Sequence, residues 1–469
     1  MMTDSAHYDL CVIGGGSGGL AVAIGAALLG APVALIEPGQ PGADGAEELA
    51  RTTLLGVTAR IQAARLVPGL DMPPAIDLAA IRHHVAATVA AASAAHGAER
   101  LRALGIHLIE GRARFLAPDR IATDGSPRML TARRFVIASA GTAHIPAIPG
   151  LERIPFLTPA GLAALDRLPE HLAILGAGAD ALELAQAYRR LGCAVTLIAD
   201  GDLLDDQDPE LVDLLLLRLQ AEGVRVLART PVGRIVENSR GIGLTIGPSE
   251  TITASDLLIA AGRRTDLDGL DLDAAGVTRG PDGILVDRRL RTANRRIHAL
   301  GDAIGPDGSV QDAAAQAAGV LRNILFRQNA RFEPLAVPRV ARTEPGLAQI
   351  GPTEQQARTS AGTVTILRSP LHDNDRARAE GMPHGLVKAV TDRKGRILGA
   401  GIVAPNADEL IQVWQIAIAQ RLKIGAVAGL IAAYPTLGEA SKRAAGSFFA
   451  PRLLSARTKR LVRRLAMLG

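Results

Sequence analysis

Cysteine is almost missing from this 469-residue chain, which has two, Cys11 and Cys193. Both sit in apolar, strand-like runs, where a thiol packs as a small hydrophobe. They supply no disulfide framework and no metal-ligand spacing, which suits a cytoplasmic protein rather than a stapled secreted one. Aromatic residues are only 2% of the chain. The core must rest on Ala, Leu, Ile and Val, and the stacking platform of a nucleic-acid binder is lacking, so no nucleic-acid partner is expected. Charge is absent from residues 10–36. A hydropathy scan would flag that stretch as a membrane span, but repeated glycines and a proline interrupt it, and the leader before it is acidic rather than basic. Acid is absent after Glu439, while Lys442, Arg443, Arg452, Arg457, Lys459, Arg460, Arg463 and Arg464 follow it. The formal net charge of +5 is therefore a property of the tail, and the rest of the chain is net acidic.

Length and hydrophobicity are what the chain has. Its 469 residues exceed one ordinary core and imply roughly three domains. With 48% hydrophobic and 21% charged residues, disorder is not the default. Residues 8–13 read as a strand, followed by Gly14-Gly15-Gly16-Ser17-Gly18-Gly19, an Ala/Leu-rich helix to about Gly30, and a strand over 32–36 ending at Glu37. In this unit Gly14 allows the tight turn, Gly16 lets backbone approach a pyrophosphate, and Gly19 lets helix and strand pack closely. The helix N-terminus offers free N–H groups to phosphate, and Glu37 is placed to accept from an adenosine ribose hydroxyl. A glycine-rich turn can also serve geometry alone; strand, helix, strand and terminal acid together favour a nucleotide.

A second unit runs from a strand over 171–175 through Gly176-Ala177-Gly178-Ala179-Asp180-Ala181, a helix over 182–191 and a strand over 194–198. Ala181 stands in place of the third glycine, a tolerated change. The position where an acid is expected at the next strand's end falls on Ala199 or, with a one-residue shift, Asp200, and residues 199–206 hold four acids and no base. That gives a 2′-phosphate nothing to pair with, so NADH is expected over NADPH; a decayed second site is the other reading. Between the units, residues 78–98 read as a helix and 106–115 and 129–138 as strands, with a Pro-rich linker over 145–155. Past Pro334, strands over 362–367, 386–391 and 397–403 precede a helix over 407–421, which suggests a separate α+β domain.

These pieces, with VIASAGTAHIPAIPG at 136–150, LPEHLAILGAGADALELA at 168–185, AAGRR at 260–264, IHALGD at 297–302, LGAGIVAPNADEL at 398–410 and YPTLGE at 434–439, resemble in order and spacing the pyridine nucleotide–disulfide oxidoreductases, the family of dihydrolipoamide dehydrogenase and mercuric reductase. The resemblance implies an α/β fold with two Rossmann-like nucleotide-binding domains, one for FAD (1–150 and 265–333) and one for NAD (151–264). A C-terminal α+β dimerisation domain (334–450) and a basic tail (451–469) complete it. It implies a homodimer. It places Gly14, Gly16, Gly19, Glu37, Ala113, Ser139, Gly262, Gly301 and Asp302 around FAD, with Gly301 and Asp302 at the ribityl and phosphate region. Gly176, Gly178, Ala181 and Asp200 fall at the nicotinamide dinucleotide, Glu183 near nicotinamide and flavin, and Glu439 in the partner's active site.

The departures redirect the expected chemistry. The family's disulfide reductases carry a Cys-x4-Cys pair and then a lysine shortly after the position of Glu37; here residues 38–54 contain neither. Where the family's C-terminal base is a histidine, this chain has Tyr434. Tyrosine titrates near 10 and cannot take a thiol proton near neutral pH. Thiolate and base are lost together, and mercuric reductase's terminal cysteine pair is missing too. The expectation is an FAD-dependent NADH oxidoreductase that passes electrons to a small non-disulfide acceptor, such as a quinone, with Glu183, Tyr434 and Glu439 in the catalytic region. Two other readings stay open: a flavin-binding partner subunit without catalysis, and a divergent disulfide reductase. The tail, residues 453–468, interleaves Leu454, Leu461, Val462, Leu465 and Leu468 with basic residues, which suits either the inner face of an anionic membrane or a solvated or dimer-packing helix.

Overall fold

The computed structural model describes residues 6–70, 75–94, 96–124, 126–162, 165–247, 250–305 and 308–467, leaving aside the side chains of residues 6, 126–128 and 162. The chain forms two compact units, Met1–Gly176 with Val232–Pro334, and Ala177–Pro231 with Leu335–Gly469.

In the first unit β1 (Ala6–Ile13) enters the glycine loop, α1 (Ser17–Leu28) leaves it, and β2 (Val33–Glu37) returns parallel to β1, Leu10 opposite Val33. These strands are nearly continuous apolar runs because both faces of the sheet are covered. Cys11 and Ile13 face one core with Phe115, Phe135 and Ile137. Leu10 and Val12 face another with Leu20, Ala23 and Val320. The charge-free residues 10–36 are thus two buried strands and a short helix, and no described helix is long and apolar enough to cross a membrane.

Next come α2 (Ala43–Arg65), α3 (Leu78–Ser93) and α4 (Ala98–Ala103). The single helix expected over 78–98 ends at Ser93 and restarts behind Gly97, whose extended backbone forms the new N-cap; glycine is a weak helix former. β3 (His107–Glu110) pairs with β2, and β4 (Ala113–Ala117), β5 (Arg120–Thr123) and β6 (Ser126–Ile137) form an antiparallel meander. The one strand expected over 106–115 breaks at Gly111, with φ +142°. β6 lies parallel beside β1, giving the order β3-β2-β1-β6-β5-β4. β7 (Thr142–Ala143), α5 (Pro159–Leu162) and β8 (His171–Leu175) lead to the second glycine loop.

Beyond that loop, in the second unit, come α6 (Ala179–Arg190), β9 (Ala194–Ile198), α7 (Pro209–Ala221) and β10 (Val224–Leu227), β10 parallel to β9. The chain then returns to the first unit. β11 (Val232–Asn238), β12 (Gly241–Ile246) and β13 (Glu250–Ala254) make an antiparallel sheet, and β14 (Asp256–Ile259) pairs parallel with β8. β15 (Arg263–Arg264) pairs with β7, and β16 (Ile297–Ala299) with β6. A capping box of Ser309 and Asp312 starts α8 (Val310–Leu325). The segment 151–264 is therefore shared between the units, since β8 and β11–β14 belong to the first.

The rest of the second unit is α+β. β17 (Arg339–Ala341), β18 (Gly346–Ile350), β19 (Val364–Pro370), β20 (Leu386–Asp392) and β21 (Ile397–Ala404) form an antiparallel sheet in the order β17-β18-β21-β20-β19. The helices are α9 (Glu354–Ala361), α10 (Asp375–Ala379), α11 (Ala407–Leu410), α12 (Gln412–Ala419), α13 (Ile424–Ala428) and α14 (Glu439–Ser447). Trp414, Ile402, Leu371 and Ala444 are at the centre of its core. The helix expected over 407–421 is broken at Ile411 into α11 and α12. The basic tail forms α15 (Ala450–Leu453) and α16 (Ala456–Leu465), with Leu454, Leu461, Val462 and Leu465 exposed; Leu468 lies outside the described residues. The chain is thus of the α/β class, with two strand–glycine loop–helix–strand runs and a C-terminal α+β part.

Candidate functional site

The turn after β1 has no room for side chains at two of its glycines. Gly14 has φ +103°, and a Cβ there would lie 2.3 Å from the carbonyl oxygen of Ala138 and 2.7 Å from the Ser139 nitrogen. A Cβ on Gly19 would lie 1.9 Å from the Gly14 oxygen. Gly16 caps α1 with extended backbone and offers the first helical amides no side-chain cap of its own. Glu37 closes β2 beside this turn, its Oε2 accepting from Gly15 N at 2.5 Å and its Oε1 from Gly39 N at 2.9 Å. Gly111 N, two residues ahead of Ala113 at the start of β4, donates to the Glu37 carbonyl at 3.2 Å.

One residue that sequence reasoning passed over reaches this turn. Asp44, in the first turn of α2, accepts from Ser17 N through both oxygens, at 3.0 and 2.8 Å, and from Gly45 N at 2.8 Å. A second gathering lies at Gly301 and Asp302, ahead of α8. Gly301 N donates to Gln316 Oε1 at 2.7 Å, and Asp302 Oδ2 accepts from Gly141 N at 2.7 Å and from Arg263 Nε at 2.9 Å. Arg263 also donates to the Gly141 oxygen at 2.6 Å. Gly262, with φ +93°, precedes that arginine and accepts from His144 N at 2.9 Å. Gly141 and Arg263 were likewise not singled out from the sequence, although Arg263 lies in the AAGRR piece.

This donor set fits an FAD. Backbone amides at a helix N-terminus suit a pyrophosphate, Glu37 suits a ribose, and the Gly301–Asp302 turn belongs to the same unit. At the same turn the Asp44 carboxylate accepts from Ser17 N and that of Glu37 from Gly15 N.

In the second loop, Gly176 ends the first unit and Gly178 caps α6 in the second. Ala181 is fully buried. Glu183 is 1% exposed, and its Oε1 accepts from Arg342 N at 2.6 Å. Asp200 follows β9. The acidic stretch after it is not without a base in space: Arg229, at the end of β10, pairs with Asp202 at 2.7 Å and donates its backbone N–H to the Gly201 oxygen at 3.0 Å.

Tyr434 and Glu439 lie in the second unit but are not hydrogen-bonded to each other. Tyr434 is 73% exposed and donates to Asp375 Oδ2 at 3.1 Å. That carboxylate pushes the phenol above its ordinary range. Glu439 begins α14 and accepts from Thr436 N at 3.1 Å. Both cysteines are buried, and burial pushes the Cys11 thiol far above its ordinary range.

Residues 8–319 match the family described as pyridine nucleotide-disulphide oxidoreductase, and residues 337–445 match that family's dimerisation domain. A mercuric reductase of Streptomyces lividans is 33% identical over 463 residues, covering 96% of this chain and 98% of its own length. A mercuric reductase of Bacillus cereus is 31% identical, covering 94% of this chain and 71% of its own. Among solved structures, LpdA from Mycobacterium tuberculosis superposes with a TM-score of 0.85 at 27% identity, covering 95% of this chain and all of that one. The HOCl-induced flavoprotein disulfide reductase RclA from Escherichia coli, at 24% identity and a TM-score of 0.81 over 94% of this chain and 99% of its own, shares the fold.

Proposed function

The chain belongs to the pyridine nucleotide-disulphide oxidoreductase family, and from that premise we propose that it is an NADH-dependent flavoenzyme that gives its electrons directly to a small non-disulfide acceptor, a quinone-like molecule being the first candidate. Membership makes it a flavin-dependent oxidoreductase that uses FAD and a nicotinamide nucleotide, with a domain for homodimerisation. The acceptor and the preference for NADH are our reading.

Bound FAD accepts hydride from a nicotinamide and passes electrons onward. This chain's residues bind and align the partners. Gly14, Gly16 and Gly19 would shape the pyrophosphate turn, Glu37 would hold the ribose, and Gly301 with Asp302 the ribityl and phosphate region, with Ala113, Ser139 and Gly262 alongside. Gly176, Gly178 and Ala181 would take the nicotinamide dinucleotide, Asp200 its ribose, and Glu183 the neighbourhood of the nicotinamide.

The observation that carries the reading is the state of the thiols. Residues 38–54 hold no cysteine, and the chain's two cysteines are buried in or beside strands. A disulfide relay needs an accessible thiolate, and a soft metal ion such as mercuric ion is held by thiolates. Tyr434, its one phenolic proton donated to Asp375 and its pKa raised by that carboxylate, stays protonated and is unsuited to act as a base. Glu439 would stand near it in the acceptor region.

Anaerobic titration with NADH and then NADPH, following flavin absorbance, tests the first half. Bleaching at one equivalent without the long-wavelength band of a thiolate beside flavin is expected. Reoxidation tests the second half: a quinone should reoxidise the reduced enzyme faster than air. If no quinone does, the acceptor assignment fails. The tail supports a peripheral contact with an anionic surface, where such an acceptor would reside, because α16 presents Leu461, Val462 and Leu465 on one side and Arg460, Arg463 and Arg464 on the other. Flotation with anionic liposomes should be lost on removing residues 453–469; identical flotation would end that idea.

A further inference from the structure

We infer that Asp44 is an internal competitor for the flavin pyrophosphate, so that this chain binds FAD less tightly than its phosphate turn would otherwise allow. The inference rests on the flavin reading above. Its observation is the occupation of the turn by this chain's own carboxylate. The N-terminus of α1 is where backbone amides and the positive end of the helix dipole meet an anion. Asp44 holds the first of those helical amides, Ser17 N, through both oxygens at 2.8 and 3.0 Å. Glu37 already holds Gly15 N at 2.5 Å. A Cβ on Gly16 would lie 3.2 Å from Asp44 Oδ2, so the glycine that keeps the turn open for a phosphate is here the one the carboxylate approaches.

A pyrophosphate entering this turn must displace Asp44 from Ser17 N or share the turn with its charge. Charge-assisted hydrogen bonds are the strong ones, and like charges a few ångströms apart repel strongly at a partly buried site. Asp44 lies in the stretch 38–54, the segment without cysteines, and its carboxylate is directed at the cofactor turn.

The test compares the flavin-stripped full-length protein with Asp44→Asn, which keeps the side chain's size and an acceptor oxygen but removes the charge. FAD affinity is read from flavin fluorescence quenching, with ADP and adenosine as displacing ligands; ADP carries a pyrophosphate and adenosine does not. Asp44→Asn should bind FAD and ADP at least tenfold more tightly and adenosine equally. An unchanged or weaker FAD affinity in a variant with wild-type thermal midpoint and circular dichroism overturns the inference and assigns Asp44 a structural role. Should Asp44→Asn fail to fold, Asp44→Ser, smaller and uncharged, takes its place with the same expectation. If neither wild type nor variant binds FAD, the flavin reading falls as well; if both bind it equally, only the competitor role falls.

Discussion

A side-chain carbon on Gly19 would stand 1.9 Å from the carbonyl oxygen of Gly14. The first turn of α1 therefore rests directly on the backbone of the β1 turn, and the spacing of these two glycines fixes where the helix amides point. Gly19→Ala must push α1 away from the sheet, an overpacking cost of about 1–3 kcal/mol or more. The variant should purify with a clearly lower flavin-to-protein absorbance ratio and a lower melting temperature. Gly56→Ala serves as the control. It lies within α2, a Cβ there meets nothing within 4 Å, and removing an interior helix glycine should stabilise by up to about 1 kcal/mol. Equal flavin content in both variants would show that the close packing of α1 does not set the cofactor turn.

Much of this turn was legible because its signals are local. An apolar strand, glycines at fixed offsets, an apolar helix and Glu37 all lie within one short stretch, and each depends on its immediate neighbours. What stayed hidden depends on distant ones. Asp44 reaches Ser17, Arg229 reaches Asp202, Gly141 meets Asp302, and Lys388 meets Asp208, each from another element. No periodicity announces such a pair. The helix break at Ile411 is hidden for a related reason, since it lies in an apolar stretch whose pattern continues across it, whereas the break at Gly97 carries a local signal in the glycine itself.

His298 makes stability pH-dependent. It is 3% exposed on β16, and neither ring nitrogen has a hydrogen-bond partner among the described residues. Burial first, then Arg134 and Arg291, lower its pKa to about 4, with Asp287 opposing. The folded protein keeps this ring neutral, while the unfolded chain takes a proton near 6.5. Stability should thus be unaffected by His298 above about pH 6.5 and fall as pH drops from there toward about 4, by at most about 3 kcal/mol. Urea unfolding of wild type and His298→Phe at pH 7 and pH 5 isolates the effect: the variant should lose less on acidification. Parallel losses would show that the ring accepts its proton while folded.

Lys388, paired with Asp208, is the buried hub of a charge cluster in the second unit whose other members reach solvent. Its Nζ lies 2.8 Å from Asp208, 2.8 Å from Glu210 and 2.9 Å from Glu354, and its side chain is 4% exposed. Arg368 adds bonds to Glu210 and Glu354. Its hydrogen bond, the largest favourable effect, together with those from Lys388, holds the Glu210 carboxyl down at about 2. Lys388→Met leaves three carboxylates around an apolar side chain, and breaking a buried pair in this way costs about 3–5 kcal/mol. Chemical denaturation of the full chain should show that loss. A loss below about 1 kcal/mol would mean that water or Arg368 alone neutralises the cluster.

Nucleotide choice should turn on Asp202. A Rossmann site prefers NADH when an acid at the strand end binds the ribose hydroxyls, and NADPH when an arginine is free for the 2′-phosphate. Here Asp200 follows β9, and Arg229 stands beside the same segment, held by Asp202 at 2.7 Å. The arginine stands beside the acidic segment but is engaged by Asp202. Asp202→Ala releases it to pair with the 2′-phosphate, an exposed charge-assisted contact of small energy. The KM for NADPH should fall several-fold in Asp202→Ala, with the KM for NADH little changed, and the gain should vanish in Asp202→Ala/Arg229→Ala. The two arginine states separate the cause: a gain that survives loss of Arg229 would come from removing the Asp202 charge alone, and no gain in either variant would place the 2′-hydroxyl away from this loop.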